Sequence, residues 1–352
     1  MLDIDGSYGE GGGQLLRTAV SLAAATGKAI RVHSVRAKRK PSGLAPQHLA
    51  AIRAACELCR GHLEGAVLRS QEIAFVPNRT DGGTYTFDIG TAGSITLLLQ
   101  ALLPMMVSAR KHFRIKVTGG TDVRGAPPFD YFCNVFMPLV ANLGVNATAT
   151  LLRRGYYPRG GGMVEMAVSP GRLKPLAIEN PGMLLEVGGI AHVAHLPLHI
   201  AERMRASALA PLAGLYAPEH CTAVAVQEES AIGSGGAIVL WARHEHSVLG
   251  AGCVAERGIP AERLGDDSGA ALRAELMAHT ALDVHAADQI LVYLALALTN
   301  GPAHVTVREV TSHAQTAMRL IEQLLPARFS VEPDDGRIRI HVSHRSAPAP
   351  TS

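Results

Sequence analysis

The sequence predicts an α/β protein of the α+β kind, built on a repeated unit, with a second, smaller α/β domain inserted late in the chain. Three observations predict it. Apolar runs of strand and helix period alternate through the first half. Glycine clusters recur at Gly11–Gly13, Gly119–Gly120 and Gly160–Gly162. The texture then changes near Glu179, where Asn180-Pro181-Gly182 makes a break, and the first texture resumes near Ala286.

The elements follow in order. Residues 29–35 are rich in β-branched side chains and read as a strand. Pro46 suits a first helical position, and 47–60 continues at helical spacing. Residues 67–76 and 84–89 read as strands around the turn signal at 78–83. Helices are expected over 92–106 and 131–143, and strands over 113–117 and 162–168. In the second texture, strands at 187–195 and 223–226 flank a helix at 198–212. Ser234-Gly235-Gly236 precedes a strand at 237–243, and 261–282 reads as a helix. Residues 346–352 are small and Pro-rich, and read as a disordered tail.

Composition narrows the function classes. The 352 residues are enough for roughly two domains. Charged residues make up 18% and the net charge is +3, which gives no general nucleic-acid surface. The local cluster Arg36, Lys38, Arg39, Lys40 is more telling, although a short run of cations is commonly just a solvated loop. No apolar run reaches the ~18 residues of a membrane span, and no hydrophobic leader is read at the start. Five scattered cysteines make no disulfide framework, and Cys56-Glu57-Leu58-Cys59 lies in a helical pattern as packing; a reducing cytoplasm fits.

The residues that carry chemistry begin at Gly9-Glu10-Gly11-Gly12-Gly13-Gln14-Leu15-Leu16-Arg17. Glycines admit a ligand close to the backbone, and a following helix N-terminus favours anions. Glu10 offers oxygens to a hard cation, and Arg17 a planar fork to phosphate. The spacing is neither that of a P-loop nor that of a dinucleotide fingerprint, and a plain glycine turn would look the same. Arg36 to His48 joins cations to a glycine turn and a helix start. Gln100 sits in an apolar helix, as a capped buried amide or a ligand contact. Gly119-Gly120-Thr121-Asp122 with Ala126-Pro127-Pro128 makes a polar loop of the kind that walls a cleft. His313 stands where a strand gives way to a helix; composition alone cannot choose it among 16 histidines.

Taken together in chain order, these pieces resemble the RNA 3′-terminal phosphate cyclase family. The further matching pieces are Gly93-Ser94, Tyr157-Pro158-Arg159 with Gly160–Gly162, Ala287-Asp288-Gln289, and Ser312-His313 with Thr316. The resemblance implies three βαβαββ-type repeats in a large domain, residues 1–179 plus 281–345, with the smaller domain 180–280 inserted. It implies ATP-dependent conversion of an RNA 3′-phosphate into a 2′,3′-cyclic phosphodiester, with AMP and diphosphate released. His313 would be the nucleophile that takes AMP, with Arg17 and Arg39 at the reacting phosphates and Gln47 helping to hold them. Glu10 would hold Mg²⁺ or Mn²⁺. Gln100, Pro128 and the segment His285, Ala286, Ala287, Asp288, Gln289 would form the nucleotide pocket. RNA with a 3′-phosphate end is the implied partner; neither DNA as a main substrate nor a membrane is implied.

This chain departs from the family pattern in two places. His285 stands where a tyrosine can occur, and Ala317 where an asparagine can follow the threonine. Two other readings use the same fold: a non-catalytic RNA-binding ribosome-assembly factor, against which His313 argues, and a small-molecule enzyme like the enolpyruvyl transferases.

Overall fold

The protein is described from a computed structural model covering residues 1–298, 301 and 303–345. Three of its four sheets share one strand order and one pairing pattern. Each runs strand, helix, strand, helix, strand, strand. In each, the first two strands pair in parallel and the last two fold back antiparallel. The first unit is β1 (Leu2–Asp5), α1 (Gly13–Thr26), β2 (Ile30–His33), α2 (Pro46–Leu58), β3 (His62–Glu64) and β4 (Ile73–Val76), in the order β1-β2-β4-β3.

The second unit is β5 (Gly83–Asp88), α3 (Ile95–Ala109), β6 (Phe113–Gly119), a composite helix, β7 (Asn146–Arg153) and β8 (Gly162–Ser169), in the order β5-β6-β8-β7. The composite helix is α4 (Phe129–Tyr131), a π turn (Phe132–Phe136) and α5 (Met137–Asn142). The wide turn comes just before Pro138, which has no N–H to donate.

The third unit starts at β9 (Ala177–Ile178) and resumes with α8 (Val284–Leu296), β14 (Ala303–Val307), α9 (Ser312–Leu324), β15 (Ala327–Asp334) and β16 (Arg337–His344). Between β9 and α8 lie β10 (Leu184–Ala194), α6 (Leu198–Leu209), β11 (Val224–Glu228), β12 (Gly235–His244), β13 (Val248–Val254) and α7 (Ala261–Ala278). These form the sheet β11-β10-β12-β13 with α6 and α7 packed on it. Val187, Met204, Leu240, Leu249 and Leu272 give this part a core of its own. The main core gathers around α1, which packs on α2, α3 and α9, while α8 packs on α3 and α9.

Several sequence expectations change. The strand expected over 67–76 is only β4, because Arg69 is in the left-handed region (φ 68°) and residues 67–70 turn back to bond Leu44. The helix expected over 261–282 stops at Ala278, where His279 takes φ 50°. The tail 346–352 lies outside the described residues. No described helix is long and apolar enough to cross a membrane.

The inserted sheet meets the second unit through a buried polar junction. Arg154 is 4% exposed. Its Nη1 lies 3.3 Å from Asp122 Oδ2 and 2.9 Å from Asp130 Oδ2, and its Nε donates to Glu228 Oε1 of β11 at 2.8 Å. His192 of β10 is fully buried, with Nε2 at 3.4 Å from Asp130 and 3.6 Å from Asp122, and Nδ1 at 2.9 Å from the Tyr156 hydroxyl. Burial alone would push the Asp122 carboxyl up; His192 and Arg154 instead hold it below the usual range. Asp122, Asp130 and His192 are near enough together to ligate an ion, but the guanidinium is the cation between the carboxylates.

Candidate active site

Four helix N-termini and the flank of α3 enclose a cavity of about 720 Å³. Gly12, Gly13 and Arg17 come from the start of α1, Gln47 and His48 from α2, His285, Asp288 and Gln289 from α8, and His313 from α9. Gln100 and Pro104 line it from α3, and Gly125–Pro128 close one side. Unsatisfied N–H groups at helix starts carry partial positive charge. Gly12 caps α1 without a side-chain bond, so that helix presents its first amides to the cavity.

Close packing explains the third of the three glycines. A Cβ on Gly13 would lie 1.9 Å from His48 Nε2 and 3.0 Å from Arg17 Nη1, so only glycine lets all three meet. Arg17 is half-buried in the cavity wall, and burial lowers its guanidinium to about 10, which leaves it charged at neutral pH. Arg36 and Arg39 add two more guanidiniums to the wall. Pro104, inside α3, has no N–H for the carbonyl of Gln100, one turn earlier on the same wall. Gln100 Nε2 in turn donates to Gln289 Oε1, tying α3 to α8.

Glu10 links the chain's two distant ends at the mouth. Its Oε2 is 3.0 Å from Arg39 Nη2 and 3.6 Å from His313 Nε2, and Ser312 Oγ donates to its Oε1. The Ser312 hydrogen bond is the main reason its carboxyl stays below the usual range. His313 sits at the second position of α9, which Thr311 caps by accepting from Ala314 N at 2.9 Å. Thr311 also donates to Asp288 Oδ1 at 2.6 Å. Burial raises the Asp288 carboxyl to about 6.

The structure thus brings together Arg17, Arg39, Gln47, Gln100, Pro128, His285, Asp288, Gln289 and His313, with Glu10 beside them at the mouth. Ala286 and Ala287 do not line the cavity; they lie on the opposite face of α8, in the main core. His48, Tyr131 and Gly252 line it without having been singled out for the site. Of these only His48 carried a signal, as part of the Arg36–His48 motif.

The family model for RNA 3′-terminal phosphate cyclase matches residues 8–331. A protein of that name from Nitrosospira multiformis is 51% identical over 346 residues, covering 97% of this chain and 96% of its own. Those from Pyrobaculum neutrophilum and Pyrococcus furiosus are 41% and 40% identical, each over at least 96% of this chain and 97% of theirs. The chain belongs to the RNA 3′-terminal phosphate cyclase family. In this cyclase-family chain the match reaches into all three repeated units and covers the inserted sheet, so it includes every lining residue named above.

His48 gives the cavity a testable acid response. It is 3% exposed; Nδ1 accepts from Ala45 N at 3.3 Å, which leaves the proton on Nε2 beside Gly13. Burial first, then the charges of Arg17 and Arg36, lowers it to about 3. The unfolded imidazole takes a proton below pH 6.5, while the folded one stays neutral. Stability is therefore expected to fall, by up to about 1.4 kcal/mol per unit, as pH drops through that window. Denaturation at several pH values, for wild type and His48→Asn, checks this. Equal slopes would mean that His48 is protonated in the fold.

Proposed function

We propose that the chain converts the 3′-phosphate end of RNA into a 2′,3′-cyclic phosphodiester with ATP, passing through AMP held on His313. The observation that carries this is the position of His313. It lies at the mouth of a cavity lined by three guanidiniums and four helix N-termini, a place suited to a polyanionic nucleotide. A ring nitrogen of His313 attacks the α-phosphorus; the P–N bond forms, the bond to the β-phosphate oxygen breaks, and diphosphate leaves. An oxygen of the RNA 3′-phosphate then takes the AMP, which frees the imidazole. The neighbouring 2′-hydroxyl closes on the activated phosphorus and AMP departs, a step helped by proximity.

Arg17 and Arg39 hold the phosphates, with Gln47 beside them. Gln100, Pro128, His285, Asp288 and Gln289 receive the nucleoside. Glu10 offers one carboxylate at the mouth, which fits Mg²⁺ or Mn²⁺ taking its other ligands from phosphate and water. Such an ion would neutralise phosphate charge. The same reading treats residues 1–179 and 281–345 as the catalytic part and 180–280 as an inserted domain. Five free cysteines suit a reducing cytoplasm.

The test compares two RNA ends, one with a ribose 3′-phosphate and one whose last sugar is 2′-deoxy. The first is expected to cyclise; the second should accept labelled AMP and stop there. A deoxy end that never acquires AMP would place the hydroxyl earlier in the sequence. A protein that labels itself but modifies neither end does not use an RNA phosphate as acceptor.

A further inference from the structure

We propose that Asp283 is the positioning residue through which the inserted sheet fixes the wall of the nucleotide cavity, an inference that rests on reading the cavity as the ATP site. Asp283 is 1% exposed and caps α8. Its Oδ1 accepts from the amides of His285 at 3.0 Å and Ala286 at 2.9 Å, and from the Tyr131 hydroxyl at 2.7 Å. Its Oδ2 accepts from the amide of Gly250, on β13, at 2.9 Å.

One side chain therefore joins three elements, and each of them lines the cavity. α8 supplies His285, Asp288 and Gln289; Tyr131 lines it directly; and β13 contributes Gly252, two residues beyond the bonded amide. The approach of β13 is close. A Cβ on Gly250 would lie 2.4 Å from Val135 Cγ2 and 3.0 Å from the Tyr131 ring, so the strand rests on that wall.

The residue type needs a reason. Serine or threonine caps a helix about as well as aspartate. A buried carboxylate costs far more than a hydroxyl unless its lone pairs are filled. All four donors recorded on Asp283 are uncharged, so no cation offsets that cost through these bonds. What the carboxylate adds over a simple cap is reach: its second oxygen extends from the helix start to the inserted strand. The inserted domain thereby governs nucleotide binding.

The test uses the full chain and follows self-labelling from ATP. Asp283→Ser still caps α8 but cannot span to Gly250. It is expected to raise the KM for ATP on the order of tenfold, with the maximal rate changed by less than about threefold. Gly250→Ala, outside the cavity, is expected to shift KM in the same sense. Tyr131→Phe should also raise KM alone and add little to Asp283→Ser. Hydrogen exchange at the first turn of α8 should be faster in Gly250→Ala than in wild type. A folded Asp283→Ser with unchanged KM, or one that loses rate at unchanged KM, overturns the proposal. If that variant does not fold, unchanged KM in both Gly250→Ala and Tyr131→Phe overturns it. A wild type that takes up no AMP would refute the ATP reading, and exchange at α8 would still decide the bridge.

Discussion

Replacing His313 by alanine is expected to abolish covalent AMP attachment and RNA cyclisation, by at least about 10³-fold, while leaving the unfolding midpoint nearly unchanged. The side chain is 44% exposed, and its described ion-pair partner is Glu10 at the mouth. The core contacts of α9 come from Ala314, Met318, Leu320 and Ile321 instead. Removing the imidazole therefore takes the proposed nucleophile and little packing. Intact-mass measurement after incubation with ATP and Mg²⁺ reads the result directly. A mutant that still gained the mass of AMP would move the attachment to another residue; His285, which also lines the cavity, would be examined first.

The largest stability effect is expected at the other polar junction. Arg154→Met should cost about 3–5 kcal/mol, because it leaves Asp122 and Asp130 buried without their guanidinium. The side chains of both aspartates are under a tenth exposed, and His192 alone cannot balance them. Turning both aspartates into asparagine in the same chain should recover much of the loss, since removing a whole network costs less than breaking one. Chemical denaturation of the single and triple variants gives the comparison. A single variant within about 1 kcal/mol of wild type would mean that water already reaches the junction.

How far the sequence could be read depended on whether the signal was local. α2 was legible because Pro46 opens it and apolar residues follow at helical spacing. α3 was legible from its long apolar run, though it starts at Ile95, where Ser94 caps it by accepting from Leu97 N. β7 opens on Asn146 and carries small alanines at 147 and 149, and β13 has two glycines within it, so neither pattern marks a strand strongly. At the cavity, Arg17, Arg39, Gln47 and His313 lie in short motifs, and it was the family resemblance of those motifs in chain order, not any one of them alone, that picked the residues out. The cavity contacts of Tyr131 and Gly252 arise from the packing of β13 on the second unit, which leaves no local trace. Within α8, positions 285, 288, 289 and 292 share one helical face and line the cavity. Ala286 and Ala287 fall on the other face, a distinction that a contiguous motif cannot express.

The hydrogen bond between Ser312 and Glu10 spans 302 residues of chain. During synthesis the glycine-rich loop emerges early, but its partner on α9 follows only after roughly 15–60 s at ordinary elongation rates. Until then Arg39 has its carboxylate while the mouth lacks its imidazole. With His313 as the proposed nucleophile, reactivity toward nucleotide would be acquired in one late step. Nascent and truncated chains lacking α9 are then expected to stay inert, and appearance of the labelled protein would report completion of the fold.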